Sequence, residues 1–181
     1  MRTAAWLAAG AVAVAGLLLL GGRGTRGGTL SGAAPDFAMP STDGRTVSLE
    51  DFRGTNVLLY FSEGAGCDPC FYQMQEIERH AADFASAGIT VVPVVANPLD
   101  MTQGEVARFG LTTPYLIDED TRVSNDYGMI GQGMHANLPG HGFVLIDAAG
   151  KLRWTMEYPS MFVSSGDLLS AATAALTEAA P

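Results

Sequence analysis

Cysteine is almost absent from this chain: among 181 residues there are two, Cys67 and Cys70. Two cysteines cannot make the dense disulfide framework of a small secreted domain, and a pair this close in sequence staples nothing distant. They are either a redox couple or half of a metal site. The metal option is short of ligands, because a closed four-ligand site needs two more Cys or His side chains. Only His80, His135 and His141 remain, and none shows paired ligand spacing. Basic residues are scarce as well. From Pro35 onward seven of them face all nineteen acidic residues, a net charge of -12. An acidic domain repels phosphate backbones, which argues against a nucleic-acid partner. No phosphate-cradling glycine motif follows a strand, so no organic cofactor is expected, and no metal is assigned. There is no internal repeat. The length suits one ordinary domain plus a targeting segment.

Charge is missing altogether from Ala4 to Leu20, an apolar run of about 17 residues behind Met1 and Arg2. That length lies between a signal-peptide core and a membrane-spanning helix. Gly21, Gly22 and Arg23 stand where a small-x-small cleavage site would be expected, and no cysteine is present for lipid attachment. Residues 1–21 are therefore read as a signal anchor or signal peptide, with the uncleaved anchor favoured. Residues 22–34, rich in Gly, Thr and Ser, read as a flexible tether. The expected location is the cell membrane, single-pass, with the domain outside the cytoplasm, or secreted if the segment is cleaved.

Residues 35–181 carry the fold. Ser41-Thr42-Asp43-Gly44 reads as a turn before a short strand, Thr46 to Leu49. Asn56 to Phe61 is a nearly continuous apolar run, the pattern of a strand buried on both faces. After Cys70, Met74, Ile77, Ala81 and Phe84 recur at helical spacing until Gly88. Ile89 to Ala96 is a second buried strand, although Pro93 inside it belongs at an edge or a bulge. Gln103 to Phe109 reads as a short helix, Tyr115 to Asp118 as an extended piece and Thr121 to Tyr127 as a helical turn. Phe143 to Asp147 and Leu152 to Tyr158 form a hairpin, and Ser164 to Ala180 a last helix. This alternation predicts an α/β domain with a central mixed sheet flanked by helices.

Cys67-Asp68-Pro69-Cys70 follows a buried strand and opens a helix. The first turn of a helix offers unpaired N–H groups and a partial positive charge, which favour a thiolate there. Cys67 is thus the expected attacking thiolate, and Cys70, one turn later, the resolving thiol. Pro69 suits the first turn, where its missing N–H costs nothing. Asp68 opposes the effect, because a carboxylate beside Cys67 disfavours a second negative charge. A milder nucleophile and a more reducing couple are expected from it.

The segment from Leu58 through Cys70 resembles the strand-loop-CxxC region of the alkyl hydroperoxide reductase/thiol-specific antioxidant (redoxin) family of the thioredoxin superfamily. Pro35-Asp36-Phe37 with Asp43-Gly44 and Val47-Ser48-Leu49 is similar to that family's opening hairpin, and Phe143 through Gly150 to its late strand and turn. The resemblance covers residues 35 to 178 and implies a thioredoxin-like fold with thiol–disulfide or peroxide chemistry. Peroxiredoxins place Pro, then Thr or Ser, before the attacking cysteine; those positions here hold Tyr60 and Gly64, with Ser62 nearby. Gly66 stands where thioredoxins have Trp. The resemblance also implies a residue facing the cysteine pair just before the late strand, a cis-proline in many relatives. Counted back from Asp147 that place is His141, which is expected to lie near Cys67 and tune it; Pro139 takes the place if the loop is two residues longer.

The enzyme expected is a thiol-disulfide oxidoreductase or, alternatively, a peroxiredoxin-like thiol peroxidase using Cys67. Its expected partners are a protein or small-molecule thiol or disulfide, or a peroxide, an external thiol reductant, and a membrane through the N-terminal segment. Glu63, in the loop before Cys67, is a minor candidate for proton relay, against the commoner reading of a solvated acid. A non-enzymatic rival rests on Met129, Met134, His135 and His141, since thioether and imidazole beside a thiol pair suit copper. Sco-type copper chaperones combine such groups but space their cysteines CxxxC. A glycine-rich loop with packed methionines is the favoured reading of that stretch. Glu76 and His80 read as a surface pair, and the loop Asn97-Pro98-Leu99-Asp100 has no assigned role.

Overall fold

The structure, a computed structural model, describes residues 27–28, 32–131 and 135–178. The strands are β1 (Gly27–Gly28), β2 (Ala38–Pro40), β3 (Thr46–Ser48), β4 (Asn56–Ser62), β5 (Ile89–Val95), β6 (Leu116–Ile117), β7 (Gly142–Ile146) and β8 (Leu152–Glu157). The helices are α1 (Asp68–Arg79), α2 (Ala81–Ser86), α3 (Leu99–Arg108), α4 (Arg122–Asp126) and α5 (Ser165–Thr177). Six strands form one sheet in the order β1-β8-β7-β4-β5-β6, and β2 with β3 makes a separate hairpin. β4 pairs parallel with β5 and antiparallel with β7, so the sheet is mixed. The mixed sheet flanked by helices is what the strand and helix patterns predicted, and its thioredoxin-like arrangement is what the family resemblance implied.

β4 is central, and Val57 through Ser62 are all buried. Because side chains alternate along a strand, its residues divide between two cores. Leu58 and Tyr60 join Phe71, Met74, Ile77, Phe143, Leu145 and Leu168 under α1 and α5. Val57, Leu59 and Phe61 join Phe37, Met39, Leu49, Val123 and Met129 under the opening hairpin and α4. Each such aliphatic or aromatic side chain contributes about 1.5–3 kcal/mol when fully buried. The continuous apolar run was thus a correct sign of two covered faces. Pro93 is accommodated because β6 pairs only with Val94 and Val95, leaving β5 an edge at that point.

Three details depart from the sequence reading. The helix expected to run unbroken to Gly88 is divided at His80, whose Nδ1 lies 2.9 Å from the Glu76 carbonyl oxygen. The helix expected from Gln103 begins at Leu99, four residues earlier, where Pro98 precedes the first turn and Asp100 lies within it. Within the expected tether, Gly27 and Gly28 pair with Met156 and Thr155 of β8, and Ala33 bridges to Lys151. That pairing satisfies the outer edge of β8. The residue row Gly27, Met156, Phe143 and Tyr60 crosses the sheet, and β1 enters it from the end where β4 delivers the cysteines. The apolar run Ala4–Leu20 lies outside the described residues. Among the described residues no helix is long and apolar enough to cross a membrane.

Candidate active site

Cys67 caps the N-terminus of α1, with Asp68 and Pro69 opening the helix. The two cysteines form a disulfide, with their Cα atoms 5.4 Å apart. Both are buried. A tight turn delivers them: the Cys67 N–H donates to the Gly64 carbonyl at 2.9 Å, and the Cys70 N–H donates to the Cys67 carbonyl at 2.9 Å. Gly64 has φ +71, and a Cβ added there would come within 1.9 Å of Asn97 Oδ1. That oxygen accepts the Ala65 N–H at 2.8 Å. Asn97 therefore pins the loop before the cysteines and occupies the space a side chain at position 64 would need. The loop at Asn97 carried no assigned role from sequence, because the bond that defines it spans thirty-two residues.

The two residues singled out from sequence besides the cysteines, Glu63 and His141, are both buried. Glu63 is 2% exposed, contrary to the solvated acid that was the commoner expectation. Its carboxylate accepts the His135 N–H at 3.2 Å and lies 3.1 Å from His135 Nδ1. It is thus tied to His135, which precedes the bridge of Pro139 to Ile130. His141 is equally buried, at 2% exposure, at the start of β7. Its Nδ1 lies 3.0 Å from Tyr60 Oη, and that hydroxyl donates to the Cys70 carbonyl at 3.2 Å. A hydroxyl has one proton, so with it on the carbonyl, Nδ1 carries the imidazole hydrogen and Nε2 is left as a lone pair. Among the described residues, buried Nε2 has no hydrogen-bond partner. Burial pushes the imidazole down to about 4, so it is neutral at pH 7. His141 is thus linked to the cysteine pair through Tyr60, at the Cys70 carbonyl.

Tyr60 is fully buried, stacked on Phe143 with ring centroids 4.7 Å apart. Burial raises its hydroxyl well above the ordinary tyrosine range, which keeps it a neutral donor. Its weight in the site was visible only as a departure from the peroxiredoxin pattern.

The expectation for Asp68 needs a correction. Arg108 Nη2 donates to Asp68 Oδ1 at 2.6 Å, so the carboxylate beside Cys67 is not an isolated charge. The guanidinium holds the Asp68 carboxyl below the usual aspartate range. Glu76 and His80 are the expected surface pair, 3.5 Å apart, with Arg79 on the same carboxylate. The residues considered for copper are dispersed in purpose. Met129 is buried in the second core with its sulfur against Gly142, while His135 and His141 are engaged by Glu63 and Tyr60. Met134 lies outside the described residues. Among the described residues no group of three or more His, Cys, Asp or Glu side chains is placed to hold a metal ion.

A disulfide on the first turn of the helix that follows the central strand of a mixed sheet is the arrangement of a thioredoxin-fold protein. The AhpC/TSA family model matches residues 30–155, and the chain belongs to that family. It is 35% identical over 97 residues to the thiol-disulfide oxidoreductase ResA of Geobacillus thermodenitrificans, covering 53% of this chain and 55% of that protein. It is 29% identical over 128 residues to peroxiredoxin Bcp of Escherichia coli K12, covering 68% of this chain and 82% of that one. The crystal structure of peroxidoxin BcpB from Mycobacterium tuberculosis superposes with a TM-score of 0.67 at 19% identity, covering 83% of this chain and 99% of that chain. That likeness speaks to the fold. These relatives are enzymes of thiol redox chemistry, and this chain is an enzyme of the same family.

Proposed function

We propose that the protein is a thiol–disulfide oxidoreductase held at the membrane by its apolar N-terminal run, with its domain outside the cytoplasm. The observation that carries the redox assignment is the Cys67–Cys70 disulfide at the N-terminus of α1. Disulfide is favoured over peroxide as the substrate because the place of the peroxide-ordering hydroxyl is Gly64, and Asn97 fills the space beside it.

In the reduced protein, the Cys67 thiolate attacks one sulfur of a substrate disulfide. That S–S bond breaks, a mixed disulfide forms at Cys67, and the other substrate sulfur leaves as a thiolate. Cys70 then loses its proton and attacks the Cys67 sulfur. The mixed disulfide breaks, the second substrate thiol leaves, and the Cys67–Cys70 disulfide remains. The substrate gains the two electrons the protein loses, and an external thiol restores the dithiol. Glu63, beside the loop that carries Cys67, serves the proton transfers, and Tyr60 with His141 holds the Cys70 carbonyl while its thiol reacts. The lipid-facing role of Ala4–Leu20 is read from its length and lack of charge.

The test is stopped-flow reaction of the reduced protein with hydrogen peroxide, alongside its equilibrium with a glutathione redox buffer. Slow peroxide consumption with a well-defined dithiol–disulfide potential is the expected result. Rapid peroxide consumption that disappears on Cys67→Ser substitution would make the protein a thiol peroxidase instead. Release of the protein from membranes by alkaline carbonate would remove the anchor from the proposal.

A further inference from the structure

The CxxC pair is coupled to a cation on a different helix. Arg108, in the last turn of α3, is held by two carboxylates and a ring. Its Nη2 donates to Asp68, its Nε donates to Glu105 Oε2 at 2.9 Å, and its guanidinium carbon lies 4.1 Å from the centre of the Phe109 ring. Phe109 is itself anchored to α1. It stacks on Phe71 at 4.8 Å, takes Tyr72 edge-on at 5.4 Å, and its carbonyl accepts the Gln75 side chain at 2.7 Å. The scaffold that positions Arg108 is thus the same helix that carries the cysteines.

We propose that Arg108 is a positioning residue for the redox pair, cancelling the charge of Asp68 beside Cys67 and so setting how readily the Cys67 thiolate forms. The inference rests on the reading of Cys67 as the attacking thiolate. The charged groups near this end of α1 fall into two sets. Asp68, Arg108 and Glu105 lie on the α3 side, and Glu63 with His135 lies on the loop side. Tyr60 and His141 beneath Cys70 are neutral. Arg108 is the cation whose contact reaches the residue between the two cysteines. Asp68 and Arg108 are each about half exposed, so their influence on Cys67 is moderate and screened by salt.

The direction follows from charge balance. With both side chains present the pair is neutral. Without Arg108 a lone carboxylate adjoins Cys67, the thiolate is disfavoured, and the reduced form loses stability relative to the disulfide. Without Asp68, Arg108 stays paired with Glu105, the negative charge nearest Cys67 is gone, and the shift reverses. The experiment measures iodoacetamide alkylation of the reduced protein against pH, with the modified cysteine mapped by mass spectrometry, together with the glutathione equilibrium. Arg108→Gln should raise the Cys67 pKa and move the equilibrium about threefold toward the disulfide, equivalent to about 14 mV. Asp68→Asn should move both readings the other way, and the double variant should return close to the wild type. Each difference should shrink at high salt.

Alkylation at Cys67 with an unmoved pKa and equilibrium in Arg108→Gln overturns this inference alone. So does a shift of the same sign in both single variants, which would mark a packing effect instead of a charge effect. Alkylation mapping to Cys70 in the wild-type protein overturns the functional reading and this inference with it.

Discussion

The two cysteines are three positions apart and chemically alike, yet their surroundings differ in kind. On the Cys67 side the neighbours are ionic and adjustable: Asp68 with Arg108, and the buried Glu63 with the more exposed His135. On the Cys70 side they are neutral and closed: Tyr60, His141 and Phe143, in ring contact and fully packed. Nearby charge tunes a thiolate, whereas a dry hydrogen-bonded seat fixes geometry. The contrast supports the proposed order, attack at Cys67 and resolution at Cys70, on grounds independent of sequence order.

The comparison is broken most directly by replacing each cysteine in turn. Cys67→Ser should abolish reaction with a disulfide substrate. Cys70→Ser should keep the first step and accumulate a mixed disulfide that mass spectrometry detects. The reverse pattern would exchange the two roles. The next effect belongs to the neutral side. His141 is held down to about 4 by burial, against an ordinary value of 6.5, so the unfolded chain binds its proton more readily than the folded one. Stability from this group is complete above pH 6.5 and is lost as the pH falls toward 4. The loss is at most about 3 kcal/mol. Denaturant titrations of the wild type and His141→Gln should show a shallower acid dependence in the variant. Equal slopes would mean that the imidazole is solvated and the seat of Cys70 is not dry. The smallest effect tests the loop. Gly64→Thr would restore the hydroxyl of the peroxiredoxin pattern, but φ +71 and the nearby Asn97 oxygen oppose it. A cost of about 2 kcal/mol is expected from the left-handed backbone and the displaced Ala65 bond. No gain in the peroxide rate should accompany it. A faster peroxide reaction would show that the loop can yield.

What could be read from sequence was local. The apolar run of β4, the helix after Cys70, the hairpin of β7 and β8 and the cysteine pair all declare themselves within a few neighbouring residues. The start of α3 was signalled by Pro98 and Asp100 but missed, because those residues also suit a loop. The neighbours that define the site are another matter. Asp68 meets Arg108 across forty residues, Glu63 meets His135 across seventy-two, and Tyr60 meets His141 across eighty-one. No periodicity records such meetings, since they arise only when strands and helices pack. Asp68 is the instructive case: its charge was visible from sequence, whereas its partner Arg108 comes from another helix and was not.

The way β1 joins the sheet bears on where the cysteines point. Gly27 lies in the same row as Tyr60, and of the two residues of β1 it is the one nearer the cysteine-bearing end of the sheet. Between Leu20 and Gly27 there are six residues, Gly21 to Arg26, whose fully extended reach is about 20 Å. With the apolar run in a bilayer, as proposed, the domain would hang from its reactive end, like a lamp facing its own ceiling. A reductant or substrate embedded in that membrane would then meet Cys67 without the domain having to turn over.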